Sequence, residues 1–151
     1  MALVNYKKND TINNPRTGTP VFGMFPNIVY QNTELEAGPI YLRYGQHLGP
    51  HRGFGLCHIW HEHKKEIQQA TKSPLLTVEE AVEVIPEYIA GLLIRGAPIH
   101  SEFDQKARCM VVRIRKGIVL LEPHKDGQAE TFYSIITAYG GQAQGPRIGA
   151  L

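Results

Sequence analysis

The spacing of apolar residues changes from a helical to an alternating pattern along the chain. Residues 56–69 form a helix candidate, and residues 78–89 follow with their apolar positions on one helical face. Thr77 and Glu80 have the spacing of a capping box at the start of the second helix. Pro86 lies inside that helix and predicts a kink or a split there, because proline cannot donate the helical hydrogen bond.

After residue 107 the apolar positions alternate, as is typical of strands. Three consecutive antiparallel strands are predicted: 108–115, 118–122 and 131–139. A turn is predicted at 123–127, and a shorter alternating run predicts one earlier strand at 39–44. Helices followed by strands indicate an α+β fold, in which N-terminal helices pack on a C-terminal antiparallel β-meander.

The two ends of the chain lack a sustained period. Residues 1–37 are rich in Asn, Gly, Thr and Pro, and are predicted to be a flexible arm, a linker or the remnant of a carrier protein. Residues 142–151 are predicted to be a loose C-terminal tail. Residues 38–141 remain as one predicted folded domain, which is long enough for a single hydrophobic core.

Composition excludes several classes of protein. Apolar residues make up 42% of the chain and charged residues 20%, as in a globular domain and unlike a disordered tail. No apolar run approaches the roughly 20 residues of a membrane span, and the polar N-terminus is unlike a signal peptide. Cys57 and Cys109 are predicted to be core thiols. The formal net charge of +2 is compatible with a nucleic-acid partner but does not require one.

Histidines carry the strongest chemical signal in the chain. Five of the seven lie between His47 and His63, in and after a glycine-rich loop. On a regular helix His58, His61 and Glu62 share one face, whereas His63 points elsewhere. A zinc-dependent hydrolase built on this cluster is one alternative, but no spacing matches a recognised ligand motif, so no metal and no cofactor are predicted. A buried histidine beside solvated ones is the plain structural alternative.

Two further groups lie in the predicted strands. On a regular last strand Tyr133, Ile135, Thr137 and Tyr139 fall on one face. Arginines occur in the predicted strand 108–115 and near the glycine-rich loop that contains His47 and His51. The planar guanidinium of arginine suits phosphate because it can bind two oxygens at once. These arginines are Arg43, Arg52, Arg108, Arg113 and Arg115.

The three groups together fit cleavage of RNA without a metal. RNA carries its own nucleophile, the 2′-hydroxyl. Histidines can act as base and acid near neutral pH, while arginine and Thr or Tyr hydroxyls can stabilise the charge of the transition state. We therefore predict an RNA substrate whose phosphates contact Arg43, Arg52, Arg113 and Arg115. A non-catalytic RNA- or protein-binding module on a nuclease-like fold is the alternative from another class.

The order of the motifs resembles a known superfamily. GFGLCHIWHEH, the capped helix, the hairpin RCMVVRIRKGIVLLEP and the terminal ITAY are similar to the barnase–EndoU–colicin–RelE superfamily. The similarity is greatest to bacterial EndoU-like nucleases and to the nuclease domains of phage and polymorphic toxins. It covers residues 39–140 and implies a fold of that type. It places His58 and His63 on the helix motif, and Thr137 and Tyr139 on the terminal motif.

The resemblance also implies an activity and a biological setting. It implies a metal-independent endoribonuclease toxin that cleaves tRNA or rRNA and leaves a 2′,3′-cyclic phosphate. The pair of catalytic histidines corresponds to His58 with His63 or to His47 with His58, and the lysine of EndoU-like enzymes has no assigned counterpart. Such domains are delivered as the C-terminal part of a larger secreted carrier, as in contact-dependent inhibition. They act in the cytoplasm of a target cell and are neutralised by a cognate immunity protein.

Overall fold

The computed structural model describes residues 5–102, 108–113, 116–141 and 145–151, with the backbone alone at 102, 110, 112 and 113. In these ranges the elements are, in chain order, β1 (Thr11–Ile12), β2 (Val21–Phe25), β3 (Ile28–Tyr30), β4 (Thr33–Leu35), β5 (Gly38–Arg43), β6 (Gln46–Gly49), β7 (Arg52–Phe54), α1 (Gly55–Thr71), α2 (Val78–Leu92), β8 (Pro98–Glu102), β9 (Arg108–Arg113), β10 (Gly117–Lys125), β11 (Thr131–Tyr139) and β12 (Arg147–Ala150). Neither of these helices combines the length and the apolar character that a bilayer crossing requires.

Helix α2 begins at the predicted capping box. The Thr77 hydroxyl accepts the backbone N–H of Glu80 at 3.2 Å, and the Glu80 carboxylate accepts the backbone N–H of Thr77 at 3.0 Å. The helix then continues through Pro86 as one element, so the predicted split is wrong. Ile85 and Ile89 are fully buried on either side of the proline, and this burial holds the helix together despite one missing hydrogen bond.

One sheet of eight strands forms the centre of the described structure. Its order is β1–β5–β11–β10–β9–β8–β12, and β2 also pairs with β5. Strands β9, β10 and β11 pair antiparallel, which confirms the predicted meander. Strand β11 pairs in parallel with β5, so strands that are distant in sequence meet in the middle of the sheet. Helix α1 packs on β11, and α2 packs on α1, β9 and β10.

Strand β10 is longer than its sequence pattern predicts. Pro123 pairs with Tyr133 and His124 with Phe132, so the predicted turn at 123–127 is wrong for its first three residues. The described part of β9 pairs with β10 as far as Leu121.

The chain is α+β, but the predicted order of its elements is wrong. Within the described ranges, two helices lie in the middle of the chain, after seven strands and before five. Two of the early strands, β6 and β7, pair with each other as a hairpin inside the glycine-rich loop of the sequence. The early strands have two to six residues each, which is too short for alternation to be distinguished from an irregular segment.

Residues 11–35 form part of the core, so a flexible arm is the wrong description of them. Strand β2 pairs with β5, and the ring of Phe25 is 1% exposed and stacks on Tyr133 with 4.0 Å between ring centroids. At the other end, β12 pairs with β8. The predicted loose tail is therefore wrong for residues 147–150, while residues 142–144 lie outside the described part.

Replacing Phe25 tests whether the N-terminal strands belong to the core. We expect Phe25→Ala to lower the free energy of unfolding by about 3–5 kcal/mol, because it removes a fully buried ring. The measurement is equilibrium denaturation in urea. Met24→Ala is the matched control, since Met24 is 61% exposed, and it should change stability by no more than about 0.5 kcal/mol. Equal small losses for both variants would contradict the placement of β2.

Candidate active site

A β-bulge interrupts the pairing of β10 with β11. Leu120 pairs with Thr137, whereas the next residue, Leu121, pairs with Ile135. Ile136 is therefore an extra residue on β11. A bulge of this kind changes the direction of the side chains that follow it.

The bulge decides the face of the strand on which two predicted site residues lie. Tyr133 and Ile135, which precede it, belong to the main core. Thr137 and Tyr139, which follow it, line a pocket at the other face. The prediction that these four side chains lie on one face of a regular strand is therefore wrong.

Helix α1 brings three side chains to the same pocket. His58 and Glu62 are four residues apart and so lie one above the other on a helix. His63 lies on a different face of a regular helix, but its backbone is non-helical, with φ −131° and ψ 15°. Its side chain lines the pocket together with His58. The prediction that His63 points elsewhere is wrong because the helix is interrupted at this residue.

The pocket between α1 and the bulged strand is called the histidine pocket below. It has a volume of about 350 Å³ and is lined by His51, His58, Glu62, His63, Arg108, Leu120, Ile136, Thr137 and Tyr139. Four of the five residues predicted to be catalytic are among them. The fifth, His47, does not line the pocket and contacts it through His58.

His58 is buried and held in place by its neighbours. Its side chain is 5% exposed, and its Nδ1 lies 3.0 Å from Nδ1 of His47. In the neutral rings one of these nitrogens donates a hydrogen bond to the other. Gly53 (φ +144°) lies against this pair, and a Cβ there would be 2.9 Å from Nδ1 of His58 and closer still to the carbonyl oxygen of Gln46. A glycine is therefore required beside the His58 ring.

His63 is held by a carboxylate that also binds the end of β11. Its Nδ1 lies 3.0 Å from Oε1 of Glu66, and its ring stacks on Tyr139 with 4.9 Å between centroids. The other oxygen of Glu66 accepts the backbone N–H of Gly140 at 3.0 Å. Glu66 thus connects helix α1 to the strand that carries Thr137 and Tyr139.

The hydroxyl of Thr137 is buried without a partner. The residue is 8% exposed, and within the described residues its Oγ1 makes no hydrogen bond. Leaving a buried polar group unpaired costs roughly 1–3 kcal/mol. Thr137 lines the histidine pocket, so a turn of its side chain toward the pocket would let a bound ligand satisfy this hydroxyl.

Three polar lining residues, His51, Glu62 and Arg108, lie outside the predicted catalytic and phosphate-binding set. Oε1 of Glu62 accepts the backbone N–H of His51 at 3.0 Å, and this bond lowers the pKa of Glu62. Arg108 donates from Nε to Oε2 of Glu122 at 2.8 Å. The position of Arg108 among the hairpin arginines was a signal in the sequence, whereas the bond between Glu62 and His51 depends on a loop conformation that the sequence pattern does not show.

Arg43, one of the four predicted phosphate ligands, uses two of its three guanidinium nitrogens in hydrogen bonds to the protein. Nε donates to the Ser134 hydroxyl and Nη1 to the side chain of Asn9, both at 2.9 Å. The guanidinium also lies over the ring of Phe54, 4.2 Å from its centroid. These contacts join β5 to β11 and to the β7 strand, and they indicate a mainly structural role.

Arg52, another predicted phosphate ligand, is exposed and, like Arg43, lines a second pocket of about 450 Å³. This second pocket shares His51, Arg108 and Ile136 with the histidine pocket, so the two are contiguous. The side chain of Arg113 and the whole of Arg115 lie outside the described residues.

One group of side chains has the arrangement of possible metal ligands. Single ligand atoms of His47, His58 and Glu62 all lie within 4.8 Å of one another. Two imidazoles and a carboxylate are donors that zinc accepts. The absence of a resident metal therefore stays a prediction, and chelation tests it below.

Burial lowers the pKa of His58, while Glu62 acts against this shift and His47 adds to it. We expect the ring to titrate below the value of a histidine in a peptide, about 6.5. The neutral form therefore predominates at pH 7. Proton–nitrogen NMR of the imidazoles across a pH titration measures this, with the resonances assigned by comparison with His58→Asn. A pKa above that of the peptide would contradict the buried position.

Comparison with protein families, with curated proteins and with solved structures gives no match for this chain. The resemblance to the barnase–EndoU–colicin–RelE superfamily therefore stays a prediction from the motifs, and the case for function depends on the site itself.

Proposed function

We propose that this protein is a metal-independent endoribonuclease that cleaves RNA by attack of the 2′-hydroxyl. The observation that carries the proposal is that His58, His63, Thr137 and Arg108 line one pocket. Among the described residues, the Thr137 hydroxyl has no hydrogen-bond partner. Two imidazoles for proton transfer and two groups for charge stabilisation are the set that this cleavage needs.

The two histidines supply the two proton transfers. One imidazole removes the 2′-hydroxyl proton as the 2′-oxygen forms its bond to phosphorus. The other protonates the 5′-oxygen as the bond between phosphorus and that oxygen breaks. The products are a 2′,3′-cyclic phosphate and a free 5′-hydroxyl. The Nδ1 of His58 is engaged with His47, so His47 is a positioning residue and Nε2 of His58 is the nitrogen left for proton transfer.

Thr137 and Arg108 stabilise the charge that develops on the phosphate. Within the described residues the Thr137 hydroxyl has no hydrogen bond to give up, so a turn of its side chain toward the pocket would let it donate to a phosphoryl oxygen. Arg108 uses Nε for Glu122, and the guanidinium has further N–H groups for a second phosphoryl oxygen. Tyr139 stacks on His63 and so limits the orientations of that ring.

The second pocket would bind the part of the RNA strand next to the scissile phosphate. Lys8 and Arg52 are exposed on its rim, and they would attract a neighbouring phosphate. The resemblance adds a biological setting: a toxin domain of a larger carrier that acts on tRNA or rRNA in a target cell. An acidic immunity protein that covers this basic rim would block the substrate.

Removing the two pocket groups tests the proposal. We expect His58→Ala to lower RNA cleavage by ~10²–10⁴-fold, the usual contribution of general acid–base catalysis. Thr137→Val should lower it on the order of 10–10³-fold, because a transition-state donor is lost. The same Thr137→Val change should leave stability unchanged or higher, since it removes a buried hydroxyl that has no partner. Gel analysis of a defined RNA and thermal denaturation measure the two effects.

His100→Ala is the matched control for these variants. His100 lies on β8, its Nδ1 contacts the carbonyl of Gly145 at 3.1 Å, and it lines neither pocket described above. Its loss should change cleavage by less than about twofold, as for surface substitutions away from a site. A folded His58→Ala protein with full activity would remove the case for this pocket as the catalytic site.

A second candidate function, a zinc-dependent hydrolase, is favoured by the cluster of His47, His58 and Glu62. Chelation separates the two. We expect RNA cleavage to survive prolonged treatment with excess EDTA, because the proposed mechanism uses only protein groups. Loss of activity in EDTA with recovery on adding zinc would support the hydrolase and contradict the metal-independent mechanism.

A further inference from the structure

We propose that His47, His58 and Glu62 form a binding site for a divalent transition-metal ion such as zinc, and that the bound ion inhibits the protein. The inhibition rests on the proposed function, because it acts through His58. The binding of the ion depends only on the geometry of the three side chains.

The spacing of the two imidazoles already suits a shared ion. Zinc binds histidine nitrogen at roughly 2.0–2.1 Å, so two nitrogens on one tetrahedral ion are about 3.3 Å apart. The Nδ1 atoms of His47 and His58 are 3.0 Å apart, which is close to that spacing. The ion is admitted once both rings turn so that their Nδ1 atoms face a common point instead of each other. Glu62 supplies the third ligand within the same 4.8 Å cluster.

The rest of the cluster supports coordination in two ways. Oε1 of Glu62 is oriented by the backbone N–H of His51, and such outer bonds orient carboxylate ligands. His58 and Glu62 line the histidine pocket, so water from the pocket can complete the coordination. Imidazole with carboxylate suits zinc, nickel and copper, whereas magnesium and calcium prefer all-oxygen ligands.

Binding the ion requires one proton to move and no redox change. In the metal-free protein one of the two Nδ1 atoms carries a hydrogen and donates it to the other. When both Nδ1 atoms bind the ion, that hydrogen moves to Nε2 of the same ring through solvent. Each ring then carries hydrogen on Nε2 and metal on Nδ1. The His58 ring has no lone pair left, so it cannot accept the proton of a 2′-hydroxyl.

The site is expected to exchange its ion readily. It has three protein ligands, and the ion must displace the hydrogen bond that already joins His47 to His58. The ion also competes with protons for these ligands. An exchangeable inhibitory ion is consistent with cleavage that survives EDTA.

Titration of the full chain with zinc alone tests the site. We expect isothermal titration calorimetry to show an ion bound by the wild type in a non-chelating buffer. His47→Ala and Glu62→Gln should each weaken zinc binding by at least ~10-fold. Removing a group that only orients a metal ligand already costs about that much, and these two variants remove a ligand itself. His100→Ala is the control for adventitious surface histidines and should leave zinc affinity within about twofold. Circular dichroism checks that each variant is folded.

Cleavage of RNA, followed in parallel, separates this inference from the proposed function. In the wild type, zinc should inhibit cleavage in proportion to occupancy of the site, and EDTA should restore it. Zinc binding that depends on His47 in a chain that never cleaves RNA would support the site and overturn both the inhibition and the proposed function. If the wild type cleaves RNA but its zinc affinity is unchanged in His47→Ala and Glu62→Gln, the metal site is overturned and the proposed function is not. Stimulation by zinc would overturn the inhibition.

Discussion

The extra residue in β11 is the constraint on which the site depends. Up to Ile135 the strand contributes to the core, where Tyr133 stacks on Phe25. Without the bulge, strict alternation would continue and Thr137 would enter that apolar core. One inserted residue, Ile136, instead places Thr137 in the wall of the histidine pocket. The same strand therefore stabilises the fold at one end and supplies chemical groups at the other.

A second irregularity, in helix α1, complements the first. His58 occupies a regular helical position, and His63 reaches the same pocket because the helix is interrupted at that residue. Glu66 then binds His63 and the backbone of Gly140 together. Glu66 thus fixes the end of the bulged strand relative to the interrupted helix. The positions of His58 and His63 relative to Thr137 are therefore held by this contact as well as by the connecting loops.

The sequence was informative where patterns are long and uninformative where they are short or broken. The meander after residue 107 and the capping box at Thr77 were both predicted, because each rests on a local pattern with a clear physical cause. The grouping of His58 with Thr137 also follows from the motifs. The face of Thr137 does not, because it depends on a bulge set by the pairing of β10 with β11. The strands before residue 37 are too short to show a period.

The parallel pairing of β5 with β11 has a consequence for the stage of folding at which the histidine pocket is completed. Ile40 pairs with Tyr133, so the middle of the sheet closes only when segments more than ninety residues apart meet. Such distant contacts form late, since loop closure has to come before they contribute stability. During synthesis, which proceeds from the N-terminus, a growing chain already contains His58 and His63 but lacks the strand that carries Thr137. The complete pocket therefore exists only after β11 has emerged from the ribosome.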